Sequence, residues 1–128
     1  VTISFSIPID PVPKARPRMS RRGQVYTPKT TAQFERVLSA MSRAHRPAEP
    51  LLGPLAVSVK LYMRRPRMPS KSYPRGDVDN YAKAILDALQ GESGIFKDDN
   101  QIVSLKVSKQ YAESGSISIR IRSALQET

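Results

Sequence analysis

The sequence predicts a single α/β (α+β) domain: a four-stranded mixed sheet with two helices on one face, in the order β-α-β-α-β-β. Three observations predict it. Four stretches alternate apolar and polar residues at the strand period. Two stretches place apolar residues at helical spacing. The 128 residues suffice for one compact domain and leave little room for a second.

Ile3, Phe5, Ile7 and Ile9 alternate with polar residues and form the first strand, which Pro8 ends near Ile7 or makes an edge. Residues 11–24 are a loop rich in Pro and Arg, and Tyr26-Thr27-Pro28 leads into a helix. Phe34, Val37, Leu38 and Met41 fall at i, i+3, i+4 and i+7 as its apolar stripe. Thr30 with Gln33 matches a capping box, and the helix fades near Arg46, before Pro47. Leu55, Val57, Val59, Leu61 and Met63 mark the second strand. Residues 64–75 are a second Pro-broken basic loop. A second helix spans residues 78–90, with Tyr81, Ile85 and Leu89 on one face and Gly91 as its stop. Val103, Leu105 and Val107 form the third strand, residues 113–115 a turn, and Ile117, Ile119 and Ile121 the fourth strand. The spacing predicts a hairpin between these last two strands. Residues 123–128 read as a frayed tail.

Composition narrows the chemistry. There are no cysteines, which removes disulfides, thiolate zinc sites and cysteine nucleophiles. His45 is the only histidine, so a catalytic metal would be held mainly by oxygen, which suits magnesium or manganese. No apolar run is long enough to span a membrane, and the first residues do not resemble a signal peptide. A cytoplasmic protein is the expectation.

The net charge of +10 is the footprint of a polyanion binder. Its distribution says more. Up to Gly76 the only acids are Asp10, Glu35 and Glu49; then Asp77, Asp79, Asp87, Glu92, Asp98 and Asp99 crowd into one stretch against Lys83 and Lys97. Helix caps and turns attract aspartate and account for part of this cluster. A bound cation accounts for it as well, because carboxylates gathered without one repel. Asp77-Val78-Asp79-Asn80 precedes a helix; if residues 77–79 are extended, both carboxylates point the same way. Asp98-Asp99-Asn100-Gln101 forms a second pair in a turn. The two pairs lie apart if the second helix runs back along the third strand, and meet if residues 91–97 return along the helix. The cluster is not an EF-hand, since Tyr81 stands where an oxygen ligand belongs. Lys83 lies four residues after Asp79 and four before Asp87, either in a solvated ion-pair row or as a cation beside a metal site.

The two basic loops offer a phosphate-binding surface: Lys14, Arg16, Arg18, Arg21 and Arg22 in one, Arg64, Arg65, Arg67, Lys71 and Arg75 in the other. Tyr26, Tyr62, Tyr73 and Phe96 are either packing residues or platforms for exposed bases. The uncovered sheet face would carry Ser58, Lys60, Lys106, Arg120 and Arg122, with three settings open to it: solvent, a dimer interface or DNA.

The stretch Gly76-Asp77-Val78-Asp79-Asn80-Tyr81-Ala82-Lys83-Ala84-Ile85-Leu86-Asp87-Ala88-Leu89, then Asp98-Asp99-Asn100-Gln101-Ile102-Val103, closely resembles the signature of the RusA family of Holliday junction resolvases. Lys14-Ala15-Arg16-Pro17-Arg18 and Tyr26-Thr27-Pro28 look like phage and prophage members. The resemblance implies essential acids at Asp77, Asp79 and Asp99, an essential lysine at Lys83, and Asp98 as a further metal-ligand candidate. It also implies a magnesium requirement, with manganese as a substitute. A homodimer making paired symmetrical cuts in four-way junction DNA, in recombination and repair, follows from the same resemblance. Residues 91–97, with Glu92 and Gly94, are less typical of the family. Two other readings stand beside this one: a basic nucleic-acid-binding module without catalysis, and a metal nuclease for other branched DNA or RNA.

Overall fold

A computed structural model describes residues 2–15, 18–26 and 28–124. Strands β1 (Thr2–Ile7), β4 (Leu55–Arg64), β5 (Ile102–Ala112) and β6 (Ser116–Ser123) form one sheet in the order β1-β6-β4-β5. Helices α1 (Lys29–Ser42) and α2 (Val78–Leu89) supply the second layer. Two short strands absent from the expectation, β2 (Arg18–Met19) and β3 (Val25–Tyr26), pair across a tight turn within the first basic loop. The main architecture is the expected one: a four-stranded mixed sheet, two helices, and the order β-α-β-α-β-β.

The sheet is mixed because β4 and β5 run parallel, while β6 runs antiparallel to both β1 and β4. Parallel neighbours need a crossover, and α2 provides it. The expected hairpin of the last two strands does not form. β6 lies on the far side of β4, so residues 113–115 carry the chain across the end of that strand. Burial explains the placement. Ile117, Ile119 and Ile121 are at most 2% exposed, which requires neighbours on both sides, and the slot between β1 and β4 supplies them. β5 is left as an edge, with Val103 and Leu105 49% and 44% exposed. β6 also extends through Ser123, which begins the expected tail, and residues 125–128 lie outside the described ones.

The core sits between the sheet and the helices. Leu55, Val57, Val59 and Leu61 of β4 face Ile85 and Leu89 of α2, all nearly fully buried. In α1 the buried face is Thr31, Phe34, Leu38 and Ser42, rotated from the expected stripe so that Val37 and Met41 are over a third exposed. The reason lies at the start of the helix. Pro28 occupies the cap position, and Thr30 and Gln33 form no capping box. Thr31 instead turns inward, accepting from the Ala15 amide and donating to the Pro13 carbonyl. The α-helix ends at Ser42, and one 3-10 turn at Arg43–His45 carries it to the expected break. The lone histidine, His45, stacks on Phe5 with ring centroids 4.7 Å apart.

Phe96 is fully buried where it bridges Leu51 and Gln90, so it is core and offers no platform to a base. Phe96→Ala is expected to cost about 3–5 kcal/mol in urea unfolding, against under about 1 kcal/mol for the half-exposed Val37→Ala. Equal losses would contradict this assignment of the core.

Candidate functional site

The first turn of α2 is fixed by its neighbours. Gly76 has φ of 92°, and a Cβ there would come within 2.6 Å of the Tyr81 ring. Only glycine therefore lets the chain turn into the helix under that ring. The buried Tyr81 hydroxyl donates to the Arg75 carbonyl at 3.1 Å, and burial raises its pKa. From the sheet, the Lys109 ammonium donates to the carbonyls of Pro74 at 2.7 Å and Gly76 at 2.5 Å. Asp77 follows in extended backbone as the N-cap residue, yet its side chain makes no capping hydrogen bond. Asp79 lies in the first helical turn. Residues 77–79 are thus not one extended segment, because the helix already begins at Val78. Both carboxylates are exposed at a helix N-terminus, and no described side chain is bonded to either.

One turn further along, the helix carries a chain of ion pairs. Lys83 Nζ lies 3.1 Å from Asp87 and 3.7 Å from Asp99. Lys14 Nζ lies 3.2 Å from Asp87 and 2.6 Å from Glu35. A backbone strap delivers Lys14: its amide donates to the Asn80 carbonyl at 2.9 Å, while Thr31 holds residues 13 and 15. The hydrogen bond to Asp87 raises the Lys83 pKa. Partial burial pulls the Lys14 pKa down, but Glu35 and Asp87 together outweigh it and the net shift is upward. Both lysines are therefore fixed cations at neutral pH, not proton acceptors. Lys14, expected as a phosphate contact, here has two carboxylate partners.

The second acidic pair belongs to a built turn. Asp98 caps the short 3-10 helix Asp99–Gln101, accepting from the Asn100 amide at 2.9 Å in a capping box with Gln101. The Gln101 side chain accepts from the Lys97 and Asp98 amides and donates to the carbonyls of Leu51 and Gly53. The Asp99 amide donates to the Gln90 side chain at 2.9 Å, which ties the turn to the C-terminal end of α2. The helix runs back along β5, and residues 91–97 bring the turn alongside it: the Asp99 carboxylate lies 3.7 Å from Lys83 Nζ, one turn on from Asp79. Among the described residues no three acidic or histidine side chains converge on one point, so Asp77, Asp79, Asp98 and Asp99 are not gathered into a cage.

Basic residues adjoin the start of this helix. Arg64, Arg65, Arg67, Lys71 and Arg75 are exposed on the loop leaving β4, and no ion pair engages them among the described residues. Arg65 lies over the Tyr111 ring, and Lys71 and Lys109 flank Tyr73. A shallow pocket of about 470 Å³ lined by Lys71, Tyr73, Arg75 and Lys109 opens beside Asp77. Arg21 and Arg22 are exposed at the β2–β3 turn. Arg16 and the side chains of Arg18 and Tyr26 lie outside the described residues.

Sequence reasoning missed Glu35 and Lys109, and gave Gln101 no role beyond its place in the signature. Glu35 carried one signal, as one of only three acids before Asp77 in a strongly basic stretch. Lys109 carried none, because its role is to hold backbone carbonyls of a distant loop.

The chain has relatives that share most of its length. The model of the family described as "Endodeoxyribonuclease RusA" matches residues 8–122, from the end of β1 to the end of β6. The chain is also 35% identical over 137 residues to "Uncharacterized protein YqaN" of Bacillus subtilis (strain 168), with 94% of this chain and 95% of the relative covered.

Lys14→Met leaves two partly buried carboxylates facing each other and is expected to cost about 1–3 kcal/mol. A lysine whose folded pKa is raised contributes stability that is fully present below its ordinary value of 10.5 and lost as pH climbs through the folded value. The difference between wild type and variant in urea unfolding should therefore hold from about pH 7 to about pH 10 and close above that. Closure already by about pH 8 would contradict the pairing.

Proposed function

Because the chain belongs to the RusA endodeoxyribonuclease family, we propose that it is a divalent-metal-dependent endonuclease that resolves four-way DNA junctions by paired symmetrical nicks, acting as a homodimer. The observation that carries this reading is the start of α2. Asp77 stands at the cap position with its carboxylate unused and a basic pocket opening beside it, and Asp79 is exposed one turn from Lys83. Capping, the competing explanation for aspartate at a helix start, does not apply to Asp77.

The donor set suits magnesium. Its ligands are hard oxygens, and magnesium is commonly held by only one or two carboxylates, with waters and substrate phosphates completing the shell. Asp77 and Asp79 would hold it, Asp99 beside Lys83 would join them through a water or a substrate phosphate, and manganese is an expected substitute. Asp98 is a weaker ligand because one of its oxygens already caps the turn. Bound there, the cation would lower the pKa of water and polarise the scissile phosphate.

The remaining work falls to the chain's own groups. Lys83, charged at neutral pH and reaching toward Asp99, offsets negative charge that builds on the phosphate in the transition state. Asp87 and Lys14 position Lys83 from behind, so its ammonium is oriented before substrate arrives. The arginines and lysines of residues 64–75 hold flanking phosphates and fix register. Hydrolysis leaves a 5′-phosphate and a 3′-hydroxyl, ends that a ligase rejoins. A twofold dimer matches the symmetry of a four-way junction. Recombination and repair are the processes that generate such junctions. Among the described residues no helix is long and apolar enough to cross a membrane, and a cytoplasmic setting accords with this role.

One observation favours a second reading. The acids do not converge on one point, as expected of a nucleic-acid-binding module without catalysis. Cleavage of a labelled synthetic four-way junction beside a linear duplex of the same sequence, with and without Mg²⁺, separates the two. Junction-selective, metal-dependent paired nicks are expected for wild type and none for Asp79→Asn, with binding retained. Tight binding without metal-dependent cutting across several junction sequences would establish the binding module. Comparable cutting of flapped DNA or RNA would make the enzyme a broader nuclease.

Two variants refine the assignment. Lys83→Ala should keep junction affinity and lose cleavage by about 10²–10³-fold; parallel loss of both would reduce Lys83 to a DNA contact. Neutralising Arg64, Arg65 and Arg67 together should lower the slope of log affinity against log salt by about 0.9 for each phosphate no longer neutralised. An unchanged slope would put the DNA elsewhere.

A further inference from the structure

The face of the sheet opposite the helices has an unusual composition, exposed from Ser58 onward along β4, with Ala56 buried at its start. Strand alternation places Thr2, Ser4 and Ser6 of β1 outward, with Ser116, Ser118, Arg120 and Arg122 of β6. Ser58, Lys60, Tyr62 and Arg64 of β4 and Ser104, Lys106, Ser108 and Gln110 of β5 share that face. None of these outward residues is an acid. Register aligns Ser4, Arg120, Ser58 and Lys106 in one row, and Ser6, Ser118, Lys60 and Ser108 in the next. The short serines between long cations leave a shallow concavity of about 540 Å³, lined by Lys60, Lys106 and Arg120.

Like charges on neighbouring strands repel, and no carboxylate of these strands offsets them on this face. A solvated face would ordinarily mix both signs. A second copy seated face to face would set cations against cations, which disfavours that occupant. Base stacking needs aromatic platforms, and the face offers only Tyr62. The pattern of hydroxyl donors among cations, on strands whose outward residues include no acid, fits the phosphodiester backbone of a duplex.

Position sharpens the assignment. Lys60, Tyr62 and Arg64 are consecutive outward residues of β4, so the face runs directly into the basic loop that leads to Asp77. Ser58 to Arg64 spans about 20 Å of strand, more than half of one ~34 Å turn of duplex. The face and the outer side of α2 lie on opposite surfaces of the domain. One straight duplex meets one of them at a time, whereas diverging arms of a branched molecule reach both.

We propose that the uncovered sheet face, through Lys60, Lys106, Arg120 and Arg122, is a second DNA-binding surface that holds the backbone of an arm other than the one cut. It rests on the branched-DNA reading above and supplies that reading with a physical source of junction preference. The helix side handles the strand to be hydrolysed; the sheet side counts arms.

The test measures binding with cutting suppressed by EDTA, so it does not depend on whether the wild type cleaves. Lys60→Gln/Lys106→Gln, Arg120→Gln/Arg122→Gln and the combined four-site variant are compared with wild type on a four-way junction and on a linear duplex, across a salt series. The combined variant should bind the junction at least tenfold more weakly, with a salt slope reduced by about 0.9 for each phosphate that it ceases to neutralise. Its affinity for the linear duplex should change by less than about threefold, so that the preference for branched DNA collapses. Lys60→Arg/Lys106→Arg, which keeps the charge, should bind like wild type and guards against a folding defect. Junction affinity and slope unchanged in the four-site variant would overturn the proposal. Altered oligomeric state in light scattering with per-protomer DNA affinity unchanged would overturn it in favour of a second copy. Loss of binding to phosphatidylserine vesicles, with junction binding intact, would overturn it in favour of a membrane surface.

Discussion

The chemistry proposed for this molecule depends on how one helix is held at its first turn. The Tyr81 ring lies against Gly76, its hydroxyl donates to the Arg75 carbonyl, and Lys109 grips the carbonyls of Pro74 and Gly76 from the sheet. These contacts set where the chain turns and hence where Asp77 and Asp79 project. The strap through Lys14 and Thr31 then binds α2 to α1. Side chains on loops are usually loosely placed. Here the acids belong to a helix whose other face is Ala84, Ile85 and Leu89 in the core, so their positions inherit the rigidity of the interior.

Charge is managed in two separate ways. The acids near α2 are paired where they touch protein: Glu35 and Asp87 with Lys14, Asp87 and Asp99 with Lys83. Among the described residues, Asp77 and Asp79 have no such partners. The cations of residues 64–75 and of the open sheet face likewise have no carboxylate partners there. A protein stabilised mainly by surface pairing would have matched these groups to one another, at modest gain. Keeping them apart retains uncompensated charge of both signs at the surface, as the proposed binding of a cation and a polyanion requires.

Much of this was legible in the sequence, for physical reasons. Period-two alternation recovered β1, β4 and β6 because each buries one face against the helices. The acidic stretch stood out because the rest of the chain is so basic. What the sequence hid is non-local. The pairing order depends on which strand most needs two neighbours, and the isoleucines of β6 decide that only in the folded sheet. The face of α1 was misjudged because Thr31 is recruited inward by a segment far away in the chain. The distance between the two acidic pairs depends on the direction of α2 relative to β5. The role of Asp98 as a cap also needed the geometry of Gln101, whose amide ties the turn to Leu51 and Gly53.

The insertion of β6 between β1 and β4 has a consequence for how the chain comes to be folded. The strand at the heart of the sheet is the last of its strands to be synthesised. Until it arrives, β1 and β4 each present an unpaired edge, and β1 has no partner in the sheet at all. Long-range closure of this kind is slow, because chain entropy is lost before the contacts that offset it can form. The β4-α2-β5 unit is contiguous in the chain and can gather first. A nascent chain in which that unit gathers first would carry its acidic helix in place before it has a complete hydrophobic floor, with its strand edges exposed to aggregation for that interval.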